Sequence, residues 1–137
     1  MKRDWDLIRR LLTDIEEGRD FLADAPAEPK WLDQSEEAFA KEMRAYRSAD
    51  ERLFGHLELL REAGYTDGYE VLRGADGTIS FGLASPRLTM AGHDLLDTVR
   101  SSKVWAWIKS TASAKGLELT VDAVKALGPL ALKHILS

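Results

Sequence analysis

Three consecutive pieces decide the fold: Arg47–Tyr65 (R-S-A-D-E-R-L-F-G-H-L-E-L-L-R-E-A-G-Y), Tyr69–Leu83 (Y-E-V-L-R-G-A-D-G-T-I-S-F-G-L) and Arg87–Asp97 (R-L-T-M-A-G-H-D-L-L-D). In the first, Ser48 and Glu51 form a capping box. Leu53, Leu57 and Leu60 then recur at i, i+4, i+7 with Phe54 alongside, the period of an amphipathic helix. Gly64 follows where a left-handed residue closes a helix. In the second piece, Tyr69–Leu72 and Thr78–Leu83 alternate as short strands, with Tyr69 and Val71 matching Ile79 and Phe81. Asp76-Gly77 supplies the tight turn between them. Pro86 breaks the strand and Arg87-Leu88 closes it. Thr89 caps a helix carrying Leu95, Leu96 and Val99, and Gly92 in its first turn marks a close approach to a neighbour. Helix, hairpin, helix is the order of a winged helix-turn-helix core.

Working outward, residues 4–17 read as a first helix with Trp5, Ile8, Leu12 and Ile15 on one face, Asp4 as N-cap and Gly18 as stop. Pro26 and Pro29 bracket an extended connection. Asp33, with Glu36 three residues on, caps a further helix lined by Phe39, Met43 and Tyr46. After the hairpin, Ser101 or Ser102 opens a helix through Lys115 carrying Val104, Trp105, Ile108 and Ala112, with Trp107 displaced, and Gly116 ends it. Thr120 caps a last segment, which Gly128-Pro129 should kink or split, because Pro129 has no N–H for the Lys125 carbonyl. The expected fold class is mainly α with a small β-hairpin wing. Residues 1–100 form the winged helix-turn-helix core, including the acidic connection and extra helix at about 19–47. Residues 101–137 are a C-terminal helical extension of the same domain.

The chain has 137 residues, 45% hydrophobic and 31% charged, which suits one domain with a real core. It contains no cysteine, so disulfides and thiolate chemistry are excluded, which suits a reducing cytoplasm. The first residues, M-K-R-D-W-D-L-I-R-R, are charged where a signal peptide would be apolar. No apolar run is long enough for a membrane span. Charge is unevenly placed. Residues 1–97 carry 13 Lys/Arg against 21 Asp/Glu, net −8, whereas residues 98–137 carry 6 against 2, net +4. The segment Leu11–Glu42 holds ten acids and three bases.

The opening M-K-R-D-x-D-L-I-R, the H-x-x-L-L-x-x-A-G-Y turn at His56–Tyr65, R-L-T-x-x-G-H-D-L-L-D at Arg87–Asp97 and V-W…I-K at Val104–Lys109 resemble the domain-of-unknown-function-2513 family. Its members are small proteins of bacteria, phages and prophages. The resemblance implies a winged-helix architecture and a mobile-element setting, and it brings no catalytic residues and no cofactor.

Chemistry finds little support in the residues. His56, His93 and His134 form no local ligand pair. No nucleophile elbow, P-loop or dinucleotide fingerprint occurs. His93 with Asp94 and Asp97 could set a carboxylate beside an imidazole, a pattern more often found on ordinary helix surfaces. The expectation is a protein that is not an enzyme and carries no metal.

Two binding modes remain. A winged helix would lay residues 50–63 in a DNA major groove and set Arg73 or the 74–77 tip on the backbone, with Arg52, His56, Arg61 and Arg73 as contacts. On that helix Arg52, Gly55, His56, Glu58, Arg61 and Glu62 should face outward. Asp50, Glu51, Glu58 and Glu62 make it a poor match for phosphates. Without Asn, and with Gln34 as the one Gln, bidentate adenine readout has few donors. The preferred expectation is therefore docking on a host protein, as a regulatory or anti-defence inhibitor, through Trp31, Glu36, Glu37 and Glu42. The double-stranded DNA-binding transcription regulator is the alternative. The C-terminal helix, apolar on more than one face, offers a homodimer seam.

Overall fold

The computed structural model describes residues 1–137. α1 (Trp5–Glu16) begins at Asp4, whose carboxylate accepts from the N–H groups of Asp6 and Leu7 and so satisfies first-turn donors that have no helical partner. Gly18, at φ +69°, ends it. Trp5, Ile8, Leu12 and Ile15 are buried, together with Leu7 and Leu11.

The largest departure from the sequence reading is α2. Separate helices capped by Asp33 and Ser48 are one 27-residue helix, Glu36–Glu62. Ser35, not Asp33, is the cap, accepting from the Ala38 N–H at 3.1 Å. Ser48 and Glu51 fit a capping box only if the chain turns before them. Nothing makes it turn, because Gly55 is the one glycine or proline between Glu36 and Glu62. Each N–H there keeps its carbonyl four residues back. The break between those two helices, expected at Ser48, is therefore replaced by continuous helix.

β1 (Thr66–Arg73) and β2 (Ile79–Leu88) form a two-stranded antiparallel sheet, longer than the alternation alone marks out. Val71 faces Phe81 as expected, while Tyr69 faces Leu83 and Arg73 faces Ile79. The register shifts between Asp67 and Tyr69. Gly68 alone stands there against the bulged Ala84–Pro86 of β2, at φ +86°, where an added Cβ would lie 2.0 Å from the Ser85 carbonyl oxygen. Pro86 lies inside β2 instead of ending it, since a bulge is the place in a ladder where a residue without an N–H is tolerated.

α3 (Met90–Val99) is capped by Thr89, which accepts from the Gly92 N–H. Gly92 meets the Tyr65 carbonyl so closely that a Cβ would sit 2.0 Å from the oxygen. α4 (Ser102–Ala114) starts from Ser101 and stops before Gly116, at φ +65°. α5 (Val121–Leu136), capped by Thr120, runs through Pro129 unsplit. Its Gly128 packs against the Thr98 methyl, which a Cβ would approach to 2.7 Å. One hydrophobic cluster joins α1, the C-terminal half of α2, Tyr69 and Leu88 of the hairpin, and Leu95, Leu96, Val99, Trp105, Ile108, Val124 and Leu127 of α3–α5. The molecule is thus mainly helical with a hairpin. No helix is long and apolar enough to cross a membrane.

Candidate functional site

The C-terminal half of α2 and the hairpin are stitched together by charge. Arg73 donates to Glu51 at 2.6 and 3.0 Å and to Glu58 at 2.9 Å. The two carboxylates push the guanidinium above its ordinary value, and the Arg73 hydrogen bonds hold Glu51 below the usual carboxylate range. Arg52 pairs with Asp4. His56 does not face outward as expected but is wholly buried. Its Nε2 accepts from the Asp4 N–H at 2.8 Å and its Nδ1 donates to the Arg52 carbonyl at 2.5 Å. The hydrogen-bond partners therefore assign the neutral Nδ1–H tautomer. Gly55, also expected to face outward, is buried. Of the four residues proposed for DNA, Arg61 alone is exposed and unpaired.

At the other end of α2 the arrangement is open. No residue from Glu36 to Ala49 is buried. At about 100° per residue, Phe39, Met43 and Tyr46 lie on the same stripe as the core residues Leu53, Phe54 and Leu57. The core face of α2 thus continues past the body of the protein. Trp31 stands edge-on to Phe39, with centroids 5.2 Å apart and planes at 73°. Trp31 is 56% exposed and its neighbour Leu32 69%. Glu42 flanks the stripe and accepts from Gln34 at 3.5 Å. Glu36 flanks it on the other side. Glu37 sits about 160° around the helix from Phe39, so the three acids do not share one face. Toward the body the stripe ends at Asp50, which is buried and has no hydrogen-bond donor in the chain. Burial, then the charge of Glu51, pushes its carboxyl above the ordinary value.

A cleft of about 1050 Å³ lies between the N-terminal residues, α2, α4 and the α4–α5 connection. Trp105 Nε1 donates to Asp6 at 2.9 Å and Lys109 reaches the same oxygen at 3.3 Å, with the Trp105 bond the chief reason the Asp6 carboxyl titrates low. Trp5 donates to the Leu119 carbonyl. The M-K-R-D-x-D opening, His56 and V-W…I-K thus converge here, fastening the first residues onto α2 and α4. His93 meets Glu16 at 3.1 Å, not Asp94 or Asp97, and Arg100 shares that carboxylate at 2.8 and 2.9 Å. Both pairings join residues more than 70 apart, which helical spacing cannot foresee.

Sequence spacing sets Phe39, Met43 and Tyr46 on one stripe, but it does not show that the stripe is only half-buried, with Trp31 packed on Phe39. The Arg73 clamp also escapes it, since strand register decides which carboxylates an arginine on β1 can reach.

No solved structure matches the chain significantly. An uncharacterized protein of Haemophilus influenzae (strain Rd) is 29% identical over 137 residues, an alignment spanning all of both chains. The family described as "Hypothetical protein (DUF2513)" matches residues 2–118, which takes in the N-terminal anchor, all of α2, the hairpin, α3 and α4. The chain belongs to that family.

Proposed function

We propose that the protein acts by non-covalent docking on another protein, through the distal half of α2 and the aromatic tip at Trp31. One observation carries this reading: the core stripe of α2 runs on through Phe39, Met43 and Tyr46 with no buried residue beyond Asp50. An apolar helix stripe ending in an exposed tryptophan is the form that helix-to-groove recognition takes. Glu36 and Glu42 on its borders favour a partner surface with an apolar strip edged by lysine or arginine. In a mobile-element setting that partner is a host protein, and the effect of docking is regulatory or anti-defence. The C-terminal half of α2, the hairpin and α3 form a winged-helix-like core beneath the docking arm.

The electrostatics give no support to DNA as the ligand, because Arg52 and Arg73 are neutralised within the chain and His56 is inside it. Capture from host lysate with the wild-type chain, Trp31→Ala, and a double variant Glu36→Lys/Glu42→Lys tests the reading. A partner retained by wild type and lost by both variants supports it. Undiminished capture by both variants overturns it. A gel shift on random duplex should show binding with almost no salt dependence, or none. A steep loss of affinity with salt, the mark of phosphate contacts, would shift the reading to the transcription regulator.

A further inference from the structure

We propose that β2 pairs edge to edge with β2 of a second copy of this chain, making a four-stranded antiparallel sheet across a two-fold axis at Gly82. β2 is bonded to β1 and to no other strand. Ser80–Ser85 are all exposed. Alternate residues of such a strand direct their N–H and C=O groups away from the neighbour they have, and those groups specify another strand as the occupant.

Three features make that occupant the chain itself. First, the edge is uncharged, and Ser85 and Pro86 of its bulge lie beyond the Ser80–Ala84 stretch that would pair. Natural edge strands carry charges against unwanted pairing, and β1 does, with Asp67, Glu70 and Arg73, whereas residues 77–86 contain no charged side chain. Second, the sequence complements itself in reverse. About Gly82, Phe81 meets Leu83 of the second copy and Ser80 meets Ala84. Opposed residues in an antiparallel pair share a face. Phe81 and Leu83 stand opposite Val71 and Tyr69, on the α2 side of the sheet, so the pairing joins apolar to apolar. A slip of one residue would mix the faces. Third, that side is incompletely covered. Phe54 stacks on Phe81 at 5.1 Å, yet Phe81 remains 45% and Leu83 55% exposed.

Charge does not oppose the pairing. The Glu70 side chains of the two copies would lie three strand spacings apart, about 14 Å, beyond the screening length of about 8 Å at physiological salt. Assembly would also stop at two copies, because the outer edges left are the charged β1 strands.

Sedimentation equilibrium tests this across a concentration series, beside hydrogen exchange of the Phe81 and Leu83 amides, which point away from β1. A monomer–dimer equilibrium is expected, with those amides slowing as dimer forms. The double variant Ser80→Lys/Ala84→Lys sets lysine opposite lysine and should raise the dimer dissociation constant about tenfold or more. Ser80→Glu/Ala84→Glu should do the same, and mixing the two should restore a heterodimer. Both positions are exposed on the face away from α2, so circular dichroism should match wild type. A chain that stays monomeric at all concentrations, assemblies larger than a dimer, or a dimer indifferent to both variants would overturn the proposal. In the last case Leu132→Lys with Leu136→Lys would locate the seam on α5 instead.

Discussion

At the scale of single residues, two positions carry more than their size suggests. Gly92 lets α3 start against the backbone of Tyr65, and the Thr89 N–H bonds to the same Tyr65 carbonyl at 3.0 Å. A methyl there has no flexible side chain to displace, only a carbonyl. Gly92→Ala should therefore destabilise the fold by about 1–3 kcal/mol, in the range of overpacked core sites, read as a lower urea midpoint. Asp50 behaves in the opposite sense. Its carboxyl titrates above the ordinary 3.8 because burial disfavours the anion. A group whose folded pKa is raised weakens the fold above that pKa and is neutral in effect below its unfolded one. Asp50→Asn should thus be more stable than wild type at pH 7, and the difference should vanish near pH 3. Equal melting curves at both pH values would show that Asp50 is not desolvated.

At the scale of elements, the caps at Asp4, Thr89, Ser101 and Thr120 and the turn at Asp76-Gly77 were legible, because each is decided by atoms a few residues apart. Ser48-Glu51 and Asp33-Glu36 carry the same local signal and do not act on it. A cap needs an N–H with no other partner, and only continuity or interruption of the chain before it can supply one. Pro86 and Pro129 show the converse, since a missing donor breaks an element only where the ladder cannot bulge or bend around it. Substitution separates the two meanings of a serine. Ser35→Ala should lower stability by about 1 kcal/mol, as lost caps do. Ser48→Ala should be neutral or raise stability by about 0.5 kcal/mol, as in a helix interior. A Ser48→Ala loss equal to that of Ser35→Ala would mean that α2 is two helices. The long-range pairs, Arg73 with Glu51 and Glu58, Arg100 with Glu16, and His56 with Asp4, follow from register and packing and were not readable from spacing.

At the scale of the molecule, carboxylates hold separate parts of the chain together. Glu16 joins α1 to Arg100 beyond α3, Glu51 joins α2 to the hairpin, and Asp6 joins the N-terminus to α4. All three titrate below their ordinary values, Glu16 through Arg100, Glu51 through Arg73 and Asp6 through Trp105. Groups lowered in the fold contribute fully above their unfolded values, 4.5 for glutamate and 3.8 for aspartate, and that contribution is lost as pH falls through the folded ones. Melting temperature should accordingly be flat from pH 7 to about 5 and fall steeply below 4.5, and Arg100→Ala should lessen the fall. An unchanged slope would show that the Glu16 pair does not hold in solution.

The unbroken α2 is also a beam. Its 27 residues span about 40 Å. Its first half, which starts just after Trp31, has no buried residue, while the half from Asp50 on is packed in the core and tied to the strand pair through Arg73. Force applied at the tip is carried along one continuous helix to the residues that Arg73 ties to the strands. We expect a distance probe between positions 32 and 80 to shift when a partner seats on the tip, and Arg73→Ala to uncouple the two ends.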